Sequence, residues 1–223
     1  MVHTVRWRLG SDDAIEFWEQ RLATETSTVT RGAGRLTFED PEGLRHELAV
    51  VDTPDAPLIA EHPEIPADLA LQGFDGVRAY TADPDASRDL LEDALGFEAR
   101  DDGWEVRGES RGGIYAYDEP PAEPGVPGAG TVHHVAFAST MEEHEDWRQR
   151  ATEGGARPTE VIDRFWFKSI YFKEPGGALF EVATDGPGFG IDESAESLGQ
   201  RLILPPWLEP NRAGIEHSLP SLR

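Results

Sequence analysis

Cysteine is absent from this 223-residue chain, and lysine occurs only at Lys168 and Lys173. A chain without cysteine has no disulfide bond, no thiolate nucleophile and no cysteine-ligated zinc site. No apolar run approaches the roughly 20 residues that a membrane-spanning helix needs, and the first residues lack the long apolar core of a secretion signal. We therefore expect a soluble, cytoplasmic protein.

Basic side chains are scarce, because 20 Lys and Arg stand against 43 Asp and Glu, a formal net charge of −23 at pH 7. Nucleic acids and anionic membranes attract basic surfaces, so this balance argues against either as a partner. An acidic surface keeps a protein soluble, and one this acidic is also typical of proteins that work in concentrated salt. Of these two interpretations we favour adaptation to high salt.

Three segments of the chain repeat one order of elements: a strand, an acid-capped amphipathic helix and then three strands. The first segment opens with a strand over 2–8 and a helix behind Ser11. In the second, Asp83 and Pro84 form a start signal and Gly96 a stop signal, which predicts a helix between them. The order predicts an α+β fold of repeated βαβββ modules, with curved mixed sheets and flanking helices.

Proline-rich connectors separate the repeats. In the third repeat, a capping box formed by Ser139 with Glu142, or by Thr140 with Glu143, predicts a helix that ends at Gly154. Two short helices are expected in the tail, one over 192–201 and one after 210. The predicted organisation is module 1 (1–52), a connector (53–71), module 2 (72–118), a connector (119–130), module 3 (131–187) and a helical tail (188–223).

The most informative pattern lies in module 3, where His133 and His134 lie inside a predicted apolar strand over 132–138 and Glu181 lies inside another. Buried imidazoles and carboxylates need partners, and a shared metal ion satisfies them together. Two neutral imidazoles and one carboxylate, with coordination positions left open, suit a non-haem Fe(II) site that activates oxygen. The alternative is that His134 and Glu181 are buried and hydrogen-bonded only to each other.

Six segments of the last third of the chain carry a family likeness. They are VHHVAF at 132–137, VIDR at 161–164, SIYF at 169–172, EPGG at 174–177, FEVATDGPGF at 180–189 and LPPWLEP at 204–210. Together with the βαβββ repeats, they resemble the glyoxalase/bleomycin-resistance/dioxygenase superfamily, also called vicinal-oxygen-chelate proteins, and within it the hydroquinone-type ring-cleaving dioxygenases. In that superfamily two modules form a curved eight-stranded sheet, with a divalent metal in its concave face.

The resemblance implies that His134 and Glu181 are metal ligands for Fe(II), with Mn(II), Ni(II) or Zn(II) as alternatives. It also implies that His133, Arg164 and Tyr171 surround a small phenolic substrate that reacts with O2. An imidazole can transfer a proton near neutral pH, a guanidinium can hold a phenolate, and a phenol can donate a hydrogen bond.

Each pocket residue also has a purely structural interpretation. His133 is then a core histidine, Arg164 an ion-pair residue of the acidic surface, and Tyr171 a packing aromatic. Three further histidines are expected at the surface, His62, His144 and His217, and His46 is expected to be a packing or exposed residue of its strand.

This sequence differs from the enzymes it resembles in one metal ligand, because a second ligand histidine is not evident in it. Those enzymes have four modules and take another histidine from the first, whereas this sequence aligns from their second module onward. In module 1, His3 aligns with His133, Thr4 with His134 and Glu47 with Glu181, while module 2 has Asp75-Gly76 at the histidine positions. We therefore expect the third ligand from a partner, either a second copy in a homodimer or a separate single-module protein.

Three functions remain compatible with these patterns. The first is an Fe(II)-dependent ring-cleaving dioxygenase for a hydroquinone- or catechol-like phenol. The second is a glyoxalase-like isomerase or lyase, which needs a redox-inert metal. The third is a binding or accessory module that has kept the fold without a complete metal site.

Overall fold

The structure is a computed structural model that describes residues 1–123, 125–128 and 130–220. Its mixed sheets with flanking helices confirm the predicted α+β class. Module 1 contains β1 (Val2–Leu9), α1 (Asp12–Leu22), β2 (Thr30–Gly32), β3 (Arg35–Glu39) and β4 (Arg45–Val50). Module 2 contains β5 (Phe74–Tyr80), β6 (Glu98–Arg100), β7 (Gly103–Arg107) and β8 (Gly112–Asp118). Module 3 contains β9 (Val135–Ser139), α2 (His144–Glu153), β10 (Ile162–Asp163), β11 (Lys168–Lys173) and β12 (Leu179–Thr184), and α3 (Arg212–Ser218) lies in the tail.

Modules 1 and 2 share one eight-stranded sheet with the order β2-β3-β4-β1-β5-β8-β7-β6. Within each module the first strand pairs in parallel with the last, β1 with β4 and β5 with β8. The two first strands, β1 and β5, pair antiparallel at the centre of the sheet, where Val5 lies opposite Val77. This residue pair marks an approximate twofold axis between the modules.

Module 3 forms a separate four-stranded sheet with the order β10-β11-β12-β9. Its first strand, β9, again pairs in parallel with its last, β12. The other side of β9 pairs with no strand among the described residues, although the equivalent sides of β1 and β5 pair with each other. The third module therefore has no mate within the described chain.

Modules 2 and 3 pack back to back around one apolar core. Tyr115 and Phe180 meet at its centre with ring centroids 5.0 Å apart, and Leu91 and Ile170 are fully buried beside them. A second, smaller core beneath α1 includes Ile15. Because the helix-facing sides of modules 2 and 3 are used for packing, the opposite face of the module 3 sheet is left for a site.

The helix predicted in module 2 is present, but its hydrogen bonding is irregular. Residues 84–94 are continuously helical, with a 3₁₀ turn over Pro84–Ser87 and a π-helical turn over Leu90–Ala94, and the Asp83 side chain makes no capping hydrogen bond. Packing overrides local propensity, because Ser87 turns inward to donate to Glu174 at 2.6 Å and the leucines of the π turn enter the shared core.

The other helix signals have mixed outcomes. Ser11 caps α1 by accepting from the Ala14 amide at 3.2 Å, as expected. Of the two capping boxes, Thr140 with Glu143 forms by half, since the Glu143 amide donates to the Thr140 hydroxyl at 3.2 Å while the Glu143 carboxylate accepts from that hydroxyl at 3.3 Å. Glu143 is itself the N-cap of α2 and makes no side-chain capping hydrogen bond. The Ser11 contact satisfies an amide that the first turn of α1 leaves without a helical partner.

The tail follows its prediction only in part. The helix expected over 192–201 is wrong, since this segment contains only the 3₁₀ turn Ala195–Ser197, whereas α3 does follow Pro210. The segment is rich in acidic and small residues and lacks the apolar stripe that stabilises a helix by packing. Residues 221–223 of the tail, and 124 and 129 of the second connector, lie outside the described residues. Within the described ranges, no helix has both the length and the apolar character needed to cross a membrane.

Salt is expected to stabilise this fold, because carboxylates that repel one another are screened at high ionic strength. Raising potassium chloride from tens of millimolar to molar concentration should raise the melting temperature by at least about 5 °C. Thermal unfolding followed by circular dichroism at both concentrations measures this shift. An unchanged melting temperature would refute the interpretation of the acidic composition as adaptation to salt.

Candidate metal centre

Glu181 lies on the open face of the module 3 sheet, in the middle of β12. Its neighbours Phe180 and Val182 point into the core, so strand alternation turns the Glu181 side chain to the opposite face. Tyr171 of β11 and Ala136 of β9 lie directly beside it on the two adjoining strands. Glu181 is nevertheless only 4% exposed, so its carboxylate needs partners within the protein.

Two side chains supply those partners. His134, immediately before β9, places its Nε2 atom 2.7 Å from Glu181 Oε2. The Tyr171 hydroxyl donates to the other oxygen, Oε1, at 2.5 Å. The sequence predicted that His134 and Glu181 face each other, and the structure brings them into direct contact.

His133 lies nearer to this group than strand alternation predicts. An ideal strand would send it to the opposite face, but both histidines precede β9, where the backbone leaves the sheet ladder. The Nδ1 atoms of His133 and His134 are 2.9 Å apart, and their rings are perpendicular. His133 is exposed to solvent, which rules out its interpretation as a core histidine.

Arg164 completes the cluster from the turn between β10 and β11. Its guanidinium carbon lies 5.6 Å from the centroid of the Tyr171 ring, and its Nε donates to the Ser169 hydroxyl at 3.4 Å. The next residue, Phe165, has φ of 75°, a left-handed conformation that is costly for a bulky side chain. The turn therefore combines a strained backbone at Phe165 with the Arg164 guanidinium, which lies over the Tyr171 ring.

The donor chemistry of this cluster fits part of a metal site. One imidazole nitrogen and one carboxylate oxygen already lie within hydrogen-bonding distance, and both are ligands that divalent transition metals accept. In the described part of the chain, however, no group of three or more His, Asp and Glu side chains is arranged to hold a metal ion. A metal at this cluster would thus find two protein ligands, His134 and Glu181, among the described residues.

In module 1 the position equivalent to Glu181 is occupied by Glu47, whose carboxylate faces arginines instead of a histidine. Arg6 Nε lies 2.9 Å from Glu47 Oε1, and Arg35 approaches the same oxygen at 3.2 Å. Arg6 also reaches Asp75 of module 2 at 3.2 Å. A guanidinium therefore supplies the positive charge on this face of the eight-stranded sheet.

Asp55 of the first connector (53–71) binds side chains on the same face of the eight-stranded sheet. Asp55 accepts hydrogen bonds from Arg8 at 2.5 Å, from the Gly112 amide at 3.1 Å and from Arg107. The hydrogen bond from Arg8 is the main reason why the pKa of the Asp55 carboxyl is far below its usual range. Ion pairs consequently cross this face of the paired modules, whereas Glu181 on the corresponding face of module 3 contacts His134 and Tyr171.

The prediction that His144 lies at the surface is wrong. His144 is 3% exposed, its Nδ1 lies 2.9 Å from the Ser139 hydroxyl, and burial lowers its pKa. A helical stripe formed with Trp147 and Ala151 at spacings of three and seven residues was the signal for this buried position.

Sequence reasoning also missed the role of Glu174. This glutamate is 2% exposed and accepts hydrogen bonds from Ser87, Tyr115 and Tyr117 of module 2 and from the amides of Gly176 and Ala178. Burial raises the pKa of the Tyr115 and Tyr117 hydroxyls well above their usual range, so both remain donors.

The repeated βαβββ modules, and a polar cluster on the sheet face opposite the helix, define the class of this protein. Residues 73–182 match the family model described as "Glyoxalase/Bleomycin resistance protein/Dioxygenase superfamily". The chain belongs to this superfamily.

Three relatives support the assignment along nearly the whole chain. "Putative ring-cleaving dioxygenase MhqO" of Bacillus subtilis strain 168 is 38% identical over 215 residues, which cover 92% of this chain and 69% of the relative. The "Chlorohydroquinone/hydroquinone 1,2-dioxygenase" of Sphingobium indicum is 29% identical over 212 residues, covering 87% of this chain and 65% of the relative. A crystal structure titled as a putative dioxygenase from Bacillus subtilis superposes with a TM-score of 0.86 at 34% identity, covering all of this chain and 74% of that one.

Proposed function

We propose that this chain is a subunit of an Fe(II)-dependent ring-cleaving dioxygenase that acts with O2 on hydroquinone- or catechol-like phenols. The observation that carries the proposal is the contact between His134 and Glu181, made on the open face of a module whose relatives bear dioxygenase names. A cytoplasmic location is part of the proposal, since an Fe(II) enzyme of this kind needs a reducing compartment.

In this function His134 and Glu181 hold the metal, which when bound supplies Lewis-acid and one-electron chemistry toward O2. Tyr171 fixes the carboxylate through its hydrogen bond to Oε1, so that Oε2 remains directed at His134. In this role Tyr171 sets the orientation of the Glu181 carboxylate without contacting the metal itself.

Arg164 and His133 are assigned to the substrate. The guanidinium of Arg164 presents fixed positive charge beside the Tyr171 ring, which suits a phenolate oxygen or the carboxylate produced when the ring opens. His133 is exposed, so its imidazole can take the phenol proton and exchange it with solvent.

The third ligand is assigned to a partner module that pairs with the free side of β9. In the eight-stranded sheet each module completes its neighbour through its first strand, and β9 is the corresponding strand of module 3. A histidine before the first strand of the partner would supply the two imidazoles and one carboxylate typical of Fe(II) oxygenases.

Anaerobic titration with Fe(II), followed by oxygen uptake on addition of hydroquinone, tests this function. We expect metal to bind at a fixed stoichiometry and uptake to depend on both iron and the phenol, with the Zn(II)-loaded protein as the inactive control. Turnover by the Ni(II)-loaded protein without oxygen would replace the proposal with an isomerase or lyase. Absence of metal binding would leave a binding module without catalysis.

A further inference from the structure

The first connector is anchored to the eight-stranded sheet by one buried side chain. Residues 53–64, which we call the strap, form neither helix nor strand, and each of them is at least partly exposed. Leu58, for example, is 60% exposed. The side chain of Asp55 is the exception, because only 1% of it is exposed. A carboxylate is thus the group that this exposed segment places inside the protein.

The Asp55 carboxylate lies in a cradle of hydrogen-bond donors from modules 1 and 2. One of its oxygens, Oδ2, accepts from Arg8 Nη1 at 2.5 Å and from the Gly112 amide at 3.1 Å. The other oxygen, Oδ1, accepts from Arg107. Because two guanidinium groups and an amide converge on both oxygens, the cradle matches the planar shape and the charge of a carboxylate.

Gly112 is needed for this arrangement. A Cβ atom at position 112 would lie 2.5 Å from Arg107 Nη1 and 2.8 Å from Arg107 Cγ. Any side chain here would therefore push Arg107 away from the carboxylate. The position that supplies the amide donor also leaves the space that the second guanidinium occupies.

The cradle stays positively charged without Asp55. Arg8 also lies 3.2 Å from Asp75, and Arg107 lies 2.9 Å from Glu105. Asp75 and Glu105 each pair with a further arginine as well, so they do not neutralise both guanidinium groups of the cradle. A third guanidinium, that of Arg111, donates to the Ala56 carbonyl of the strap at 3.2 Å. This place attracts a free anion, although the net charge of the chain is −23.

We propose that the cradle of Arg8, Arg107 and the Gly112 amide is a binding site for the carboxylate of a small organic acid, and that Asp55 occupies it as an internal ligand that a free carboxylate replaces. Replacement detaches the buried anchor of the strap. A ligand tethered by a short flexible segment competes at an effective concentration on the order of millimolar, so the free acid has to exceed that concentration.

The inference goes beyond the proposed function and does not rest on it. The cradle belongs to the eight-stranded sheet, whereas His134 and Glu181 belong to the module 3 sheet. Neither metal nor oxygen enters the experiments that test it.

Removing the internal ligand should create a site for formate, which carries the same two oxygens. At constant ionic strength, exchanging potassium chloride for potassium formate should raise the melting temperature of Asp55→Gly by at least about 4 °C more than that of the unaltered chain. The additional rise should saturate with formate concentration, because it reports binding to the folded state. Circular dichroism measures both melting temperatures.

Two matched variants separate binding from a general effect of formate. Asp55→Asn keeps the size of the side chain, so its amide fills the cradle and it should respond as the unaltered chain does. Asp85→Gly makes the glycine substitution at an exposed carboxylate that pairs with Arg88 at 2.7 Å, and it should also respond as the unaltered chain does.

The unaltered chain tests the exchange itself. Cleavage after Glu61 by a glutamate-specific protease reports release of the strap, and cleavage after the exposed Glu25 is the internal reference. Formate should accelerate cleavage after Glu61 relative to Glu25 by at least about fivefold. The concentration required should be at least about ten times that which saturates Asp55→Gly, because the tethered carboxylate competes.

A formate response of Asp55→Gly no larger than that of Asp55→Asn would overturn the binding site. Cleavage after Glu61 at a rate independent of formate would overturn the exchange. If Asp55→Gly does not fold, the cleavage of the unaltered chain decides alone.

Discussion

Replacing Glu181 by Gln is expected to lower the affinity for a divalent metal by on the order of 100-fold or more, because the substitution removes a charged ligand from a set that has few. The amide keeps the size of the side chain and still accepts from the Tyr171 hydroxyl, so the fold should be retained. Calorimetric titration with Fe(II) under anaerobic conditions, together with oxygen uptake, measures both effects.

Glu47→Gln is the matched control, since it makes the same change at the equivalent position of module 1. Glu47 is held by Arg6 and Arg35, so this variant should lose stability while its metal affinity stays within a factor of two of the unaltered protein. Equal loss of metal affinity in both variants would show that Glu181 is not a ligand and that the effect is structural.

Removing Glu174 is expected to give the largest loss of stability. Glu174→Ala removes the acceptor of five hydrogen-bond donors, two backbone amides and three hydroxyls, at the junction of modules 2 and 3. Of these donors, the Gly176 amide and the Tyr117 hydroxyl also reach the Ser87 hydroxyl oxygen. Hydrogen bonds to a charged group are individually strong, and buried donors without partners are costly, so the free energy of unfolding should fall by at least about 3 kcal/mol. Denaturation by urea in molar potassium chloride measures the loss.

Ser87→Ala serves as the graded comparison, because it leaves the carboxylate with four of its five donors. It also removes the hydroxyl oxygen that the Tyr117 hydroxyl and the Gly176 amide contact, but both keep Glu174 as an acceptor. It should cost about 1 kcal/mol. A Glu174→Ala protein as stable as Ser87→Ala would mean that the carboxylate contributes no more than a single hydrogen bond, which would contradict the role assigned to it at the module junction.

The contact between His134 and Glu181 was accessible from sequence because both residues interrupt apolar strands at positions fixed by the repeat. Parallel pairing of the first and last strands then brings them together, whatever the rest of the chain does. The family motifs added the pocket residues. Arg164 and Tyr171 were assigned through that resemblance alone, and the strand register that places Tyr171 beside Glu181 became visible only in the structure.

The differences from prediction have two causes. The helix expected after Pro84 has irregular hydrogen bonding because Ser87 is drawn to Glu174, a residue 87 positions away in the sequence. His133 approaches its neighbour because β9 begins later than the apolar run suggests. Both contacts depend on tertiary packing, which composition and periodicity do not encode. The burial of His144, in contrast, was readable from its helical spacing to Trp147 and Ala151.

Arg6, which faces Glu47, makes the eight-stranded sheet of modules 1 and 2 differ from the module 3 sheet in the cation that each needs. A guanidinium is covalently attached, so no chelator removes it and no competing ion replaces it, and the eight-stranded sheet carries its own permanent counter-ion. Under the proposed function, iron starvation would therefore leave this half intact as a scaffold. Module 3 has no guanidinium in contact with Glu181 among the described residues, so under the same proposal its state would follow the supply of metal.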